Sequence, residues 1–279
     1  MSKIVFTKMH GLGNDYIYIN ALKNKDLREI FTRYKVGELV RYLSNRNFGI
    51  GGDGVIFVEA SNIADFKMRI FNSDGTEAEM CGNGIRCLAK YVREDGLTSK
   101  DVINIETLAG IKEVKVIQTT VLPNNEPIDE YIVKMGVPKY LGEFTLKIID
   151  KEFKISKISI GNPHAVIFVK NVEELEIEKY AQSIENNRHF PQRTNVEFVE
   201  ILDKNLIKIR TWERGSKETF ACGTGSCAAV AVGVKNKLLN KNVKVLLKGG
   251  ELNIKIDEKT NEIFMKGIAT RVFDGYIYV

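Results

Sequence analysis

The chain has 279 residues, 44% of them apolar, and its 41 Lys and Arg against 36 Asp and Glu leave a formal charge of +5. That length fills one large core or two moderate ones, and a small excess of interspersed charge describes a solvated surface rather than a nucleic-acid-binding stripe. No apolar run reaches spanning length, which excludes a membrane helix, and four cysteines in so long a chain are read as free thiols of a reducing compartment.

Met1–Thr7 lacks an apolar signal core and a small-residue cleavage site, so it is read as a first strand of a cytoplasmic protein. Short runs rich in β-branched and aromatic residues predict strands at Ile4–Phe6, Tyr16–Ile19, Val55–Glu59, Lys67–Asn72, Val102–Glu106, Glu113–Val116 and Tyr131–Met135. The second half repeats the pattern at Ile155–Ile160, Ala165–Val169, Val196–Leu202, Leu206–Trp212, Val243–Leu247, Glu251–Asp257 and Glu262–Lys266. Helices are predicted over Asp26–Leu43, Gly84–Glu94, Val172–Asn186 and Gly225–Leu239. Ile85, Leu88, Ala89 and Val92 give the second an apolar face, whereas Ser226–Val234 has scarcely a polar side and reads as a helix enclosed all round.

Two segments, Thr76–Gly84 and Lys217–Gly225, place a cysteine where a helix begins, 141 residues apart. Laid over Val196–Gly225 without a gap, Val55–Gly84 gives ten identities in thirty, among them Arg69/Arg210, Glu77/Glu218, Cys81/Cys222, Gly82/Gly223 and Gly84/Gly225. So long a period excludes a solenoid and predicts two homologous lobes. The expected fold is α/β in the α+β sense: two pseudo-symmetric lobes, each a mostly antiparallel strand layer wrapped around a central helix. The Pro123–Pro127 linker divides the chain into a lobe over 1–126, completed by 268–279, and a lobe over 127–267.

A helix N-terminus offers unpaired N–H groups and about half a positive charge, which stabilise a thiolate and attract a substrate carboxylate. Glycines 82, 84, 223 and 225 leave those donors unobstructed. With a carboxylate held between two such helix ends, one cysteine removes the α-proton as thiolate and the other delivers a proton to the opposite face as thiol. Inversion by opposed acid and base groups is favoured by matched environments, which a duplication supplies. Thiols so placed should also join as a disulfide when oxidised, making activity dependent on a reductant.

Gly11–Asp15, Phe71–Gly75, Met80–Cys87, Gly161–His164, Arg193–Asn195, Glu213–Gly215 and Ala221–Cys227 together resemble diaminopimelate epimerase, in order and over nearly the whole chain. The resemblance implies a homodimeric, cofactor-free enzyme interconverting LL- and meso-2,6-diaminopimelate for lysine and peptidoglycan-precursor synthesis. It places the catalytic pair at Cys81 and Cys222, and the backbone grip on the reacting carboxylate at Gly82, Asn83, Gly223 and Thr224. Asn14, Asn72, Asn162, Asn195, Glu213 and Arg214 match substrate-contacting positions, while His164 and Glu213 match residues that tune the cysteines. Where many members carry a substrate-contacting Gln this chain has Gly54, opposite Asn195 in the repeat, which leaves the grip of the first lobe open.

Other readings are weaker. Cys87 and Cys227 fall inside apolar helix faces as packing residues, and C-x5-C and C-x4-C spacings with one cysteine deep in a helix do not suit zinc. Gly49–Gly54 matches G-x-G-x-x-G but precedes a strand, where a dinucleotide site must open a helix. His10 and His189 default to structural histidines. Glu77 and Glu218 are read as first-turn residues stabilising the helix dipole. A proline racemase-like enzyme would lack Asn72, Asn195 and Arg214, a phenazine-biosynthesis-like protein would lack the cysteine pair, and a non-catalytic amino-acid-binding relic would be expected to lose one sulfur.

Overall fold

The computed structural model describes residues 2–24, 26–121 and 127–279. The fold is mixed α+β, mostly strands, and the chain divides into two compact units: Met1–Val133 with Ile268–Val279, and Lys134–Gly267. The division falls inside a strand, some residues after the proline-bounded linker, of which 123–126 lie outside the described residues.

The first unit runs β1 (Lys3–Gly11), β2 (Asn14–Asn20), α1 (Leu27–Arg33), α2 (Val36–Ser44), β3 (Gly54–Glu59), β4 (Phe66–Asn72), β5 (Glu77–Ala78), α3 (Gly82–Glu94), β6 (Val102–Thr107), β7 (Gly110–Val121) and the start of β8 (Pro127–Gly136). The second runs β9 (Lys139–Ile148), β10 (Lys151–Ser159), β11 (Pro163–Val169), α4 (Ile177–Glu185), β12 (Asn195–Asp203), β13 (Leu206–Glu213), β14 (Lys217–Thr219), α5 (Gly223–Lys235), β15 (Asn242–Leu247), β16 (Gly250–Ile256) and β17 (Ile263–Ile268). The last strand, β18 (Thr270–Tyr278), pairs antiparallel with β1.

The same pairing scheme appears in each unit. β2 lies parallel to β3 as β11 does to β12, and β4 lies parallel to β6 as β13 does to β15. Antiparallel ladders join the rest, among them β3 with β4, β12 with β13, β6 with β7 and β15 with β16. A central helix lies against the strands of its own unit: α3 against β1, β2, β7 and β18, and α5 against β10, β11, β12 and β16. Both are buried over most of their length, and α5 is buried without a break from Gly223 to Gly233.

A second apolar layer covers the other side of β3 and β12. Leu27, Ile30, Leu39, Val40 and Leu43 pack on Val55 and Phe57, while Ile177, Tyr180, Ala181 and Ile184 pack on Val196 and Phe198. The predicted helix over Asp26–Leu43 is two helices because one could not serve this layer: at 3.6 residues per turn, Ile30 and Leu39 would point about 180° apart. Tyr34 and Lys35 are extended, and the break turns both stripes onto one core.

Four further strands escape the sequence pattern. β5 and β14 are too short for a period, and β9 is exposed along most of its length. In β18 the Asp274-Gly275 pair has the look of a turn, but a Cβ at Gly275 would lie 2.8 Å from the Phe6 ring, its cross-strand partner.

Candidate active site

Each central helix begins on a cysteine. Cys81 and Cys222 are the N-cap residues of α3 and α5, both in extended backbone, and each sulfur accepts the N–H of the residue three further on, Gly84 or Gly225, at 3.3 Å. Ser, Thr, Asp or Asn usually fill that role. A sulfur there is aimed at the positive end of the helix, where negative charge is stabilised.

In the first unit Asn14 supports Cys81. Its Oδ1 accepts from the Cys81 thiol at 3.3 Å and from Asn83 Nδ2 at 3.3 Å, while its Nδ2 donates to Asp53 at 2.8 Å. Asp53 also accepts the Asp15 N–H at 3.1 Å, and Arg46 bridges Asp15 and Asp53 at 2.7 and 3.0 Å. Lys8 reaches Asp15 at 2.5 Å. Burial pushes Asp15 up, but Arg46 and Lys8 outweigh it and hold that carboxyl below its usual range, whereas burial and the Asp15 charge raise Asp53. The amide beside Cys81 is thus fixed by a charged anchor beneath it.

In the second unit Thr224 Oγ1 lies 3.5 Å from the Cys222 sulfur and accepts from Asn162 Nδ2 at 3.3 Å. Asn162 Oδ1 faces His164 Nε2 at 2.9 Å, and His164 Nδ1 faces Glu197 Oε1 at 2.8 Å. His164 and Glu197 are wholly buried. Asn195 accepts the Arg214 N–H at 2.9 Å, and Glu213 accepts from Thr219 Oγ1 at 2.6 Å, which fixes the turn that carries Glu213 and Arg214. In the first unit Asn72 closes the corresponding turn on Thr76 at 3.2 Å.

The expectation of matched cysteine environments is overturned. The Cys222 thiol is pushed well above the ordinary thiol range by its burial and then by the Glu213 and Glu197 carboxylates, which the Thr224 and Gly225 hydrogen bonds do not offset. Register explains the difference: Tyr16 stands across from Gly54 as His164 stands across from Asn195, and the repeat sets Ile56 against Glu197 and Asn72 against Glu213. At the first helix end a buried guanidinium, Arg86, donates to the Gly82 carbonyl at 3.2 Å and to Asn83 Oδ1 at 2.9 Å, where a carboxylate and an imidazole stand beside the second. Cys81 is part-exposed and Cys222 is 4% exposed.

The helix-start glycines serve packing as well as access. A Cβ at Gly84 would lie 2.7 Å from Ile56 Cδ1, and one at Gly225 would lie 2.5 Å from Glu197 Oε1. At Gly54 a Cβ would lie 2.0 Å from the Phe71 carbonyl, so β4 leaves no room there for a side chain.

Glu77 and Glu218 do not act on the helix dipole, because neither helix has an acidic residue in its first turn. Each instead clasps an arginine, Arg69 and Glu77 at 2.8 and 3.1 Å, Arg210 and Glu218 at 2.8 and 3.0 Å. All four residues are among the identities of the repeat, the signal that could have revealed the pairs. Sequence reasoning also missed Glu197 and the Asp15, Asp53 and Arg46 anchor. Cys87 and Cys227 are buried within their helices, and burial pushes the Cys87 thiol up to about 12.

Comparison with known proteins gives this geometry a context. Residues 6–141 and 156–272 match the family model described as diaminopimelate epimerase. The chain is 48% identical to the diaminopimelate epimerase of Agathobacter rectalis and 45% identical to that of Acetivibrio thermocellus, with 98% of each chain covered in both cases. A protein of the same description from Methanococcus maripaludis is 45% identical over 98% of this chain and 99% of its own. Among solved structures, a phenazine biosynthesis protein of the PhzF family from Bacillus anthracis shares the fold with a TM-score of 0.75 at 20% identity, covering 100% of both chains. A hydroxyproline epimerase from Agrobacterium vitis does so with a TM-score of 0.71 at 13% identity, covering 99% of this chain and 92% of its own. With matches that take in both units and both cysteine-capped helices, the chain belongs to the diaminopimelate epimerase family.

Proposed function

We propose that the protein interconverts LL- and meso-2,6-diaminopimelate without a cofactor, using Cys81 and Cys222 as opposed acid and base. The observation that carries this reading is the cysteine at the N-cap of the same helix in both units, its sulfur on the third N–H. A thiolate at one such position accepts the α-proton and becomes a thiol. The thiol at the other gives its proton to the opposite face and becomes a thiolate. Charge and protons balance over the turnover, with no oxidant or metal consumed. Between the two steps the electron pair spreads onto the substrate carboxylate, which backbone N–H groups at Gly82, Asn83, Gly223 and Thr224 stabilise.

Cys222 suits the donor role in the resting protein, because burial and two carboxylates hold its proton. Cys81, part-exposed at its helix end, suits the acceptor. Asn14, Asn72, Asn162, Asn195, Glu213 and Arg214 are assigned to the substrate, since a zwitterionic head needs carboxylate, guanidinium and amide partners together. His164 is assigned to tuning the cysteines, along with Glu213. A homodimer and a cytoplasmic setting complete the proposal.

Incubation with LL-diaminopimelate in D2O, under reducing conditions and without pyridoxal phosphate, tests the activity. Conversion to the meso form with α-deuterium in the product is expected. Folded, fully reduced protein that exchanges the α-proton of neither isomer contradicts the assignment.

A further inference from the structure

We infer that Glu197 is a positioning residue for the second cysteine, acting through a buried chain that runs Glu197, His164, Asn162, Thr224, Cys222. The inference deepens the proposed epimerase reading and rests on it for its catalytic readout.

The contacts run without a gap from 2.8 Å at Glu197–His164, through 2.9 Å at His164–Asn162 and 3.3 Å at Asn162–Thr224, to 3.5 Å at Thr224–Cys222. Direction follows from chemistry. Asn162 gives its Nδ2 to Thr224, so its carbonyl oxygen faces His164, and the imidazole must present Nε2–H to it. A ring committed at Nε2 needs its other nitrogen held by a fixed partner, or it can rotate and exchange tautomers. Glu197 is that partner. It also packs under the helix start so closely that only glycine fits at 225, which ties the height of the helix end to the same carboxylate.

A structural role alone does not account for this residue. Glu197 is wholly buried, and its Oε2 has no hydrogen-bond partner among the described residues, an arrangement that costs stability. The first unit shows what the fold requires at this place, because there the equivalent residue is Ile56, itself fully buried against the glycine of its own helix start. Across the strand pair the first unit sets Ile56 opposite Ile70, and the second sets Glu197 opposite Thr211. An apolar pair therefore builds this layer once, and the polar pair in the second unit answers a different need.

The test uses Glu197→Gln and Glu197→Ile in the full chain. The glutamine keeps a hydrogen-bonding partner, with both donor and acceptor, within reach of His164 Nδ1, and the isoleucine reproduces the packing of the first unit. Activity per folded molecule is expected to fall in the order wild type, Gln, Ile, with kcat down by about 10²-fold for Ile and KM little changed. The unfolding midpoint of the Ile variant is expected to equal or exceed that of wild type. Nitrogen-15 spectra of His164 are expected to show a changed protonation pattern in the Ile variant. Wild-type kcat in the Ile variant, or losses that only follow the folded fraction, overturns the inference. If the Ile variant does not fold, the Gln variant decides, and wild-type kcat with an unchanged His164 spectrum overturns it. A wild-type protein that does not epimerise diaminopimelate overturns the parent reading instead, and the His164 spectra still decide the role of Glu197.

Discussion

Cys87 shows how burial turns a thiol into a packing residue. Its folded value of about 12, set by burial against the opposing pull of Arg86, stands above the ~8.5 of an unfolded cysteine. A raised value means that the contribution to stability is complete below about pH 8.5 and is lost as pH rises towards 12. Cys87→Ala is therefore expected to cost about 1 kcal/mol at neutral pH, by analogy with small cavity mutations, and to lose less stability than wild type between about pH 8.5 and pH 10. Urea unfolding at several pH values checks both. The two N-cap cysteines were legible in the sequence because the repeat writes them twice with flanking glycines. Glu197 was not legible, since a lone acidic residue in a strand reads as solvent-facing, and the repeat pairs it with an isoleucine. β12 is covered on both sides, by α4 and α5, so alternation along it does not separate inside from outside.

At the scale of elements, the helix starts differ in what their glycines tolerate. Gly225→Ala drives a methyl group into a buried carboxylate and is expected to cost about 1–3 kcal/mol and most of the activity. Gly84→Ala meets the far end of the Ile56 side chain, which can rotate, so a smaller cost is expected. Thermal unfolding of the two variants side by side checks the ranking, and equal costs contradict it. Long, strongly patterned strands and the two central helices were evident from periodicity. The division of the first helical segment was not, because it depends on where Ile30 and Leu39 must point in the folded unit. β5 and β14 exist to bring Glu77 and Glu218 onto their arginines, a tertiary purpose that a strand of two or three residues cannot advertise in its sequence.

For the whole molecule, duplication explains both the likeness and the unlikeness of the halves. The two units share strand order, parallel ladders and a cysteine-capped helix of equal length, Gly82–Glu94 and Gly223–Lys235. They differ where charge is placed, and among the described residues the second unit alone has a buried histidine paired with a carboxylate behind its cysteine. That difference raises the Cys222 thiol, which suits the proposed reaction, where one thiol and one thiolate are needed at a time. The proposed homodimer predicts a light-scattering mass of twice the 31.5 kDa chain, and a mass that stays at one chain at micromolar concentration contradicts it.

The two-base mechanism is the central claim, and inversion by the single-cysteine variants tests it most directly. Cys81→Ala and Cys222→Ala, each shown to be folded, are expected to convert LL- to meso-diaminopimelate at least about 10²-fold more slowly than wild type, as loss of a positioned acid or base requires. Either variant inverting at the wild-type rate contradicts the account.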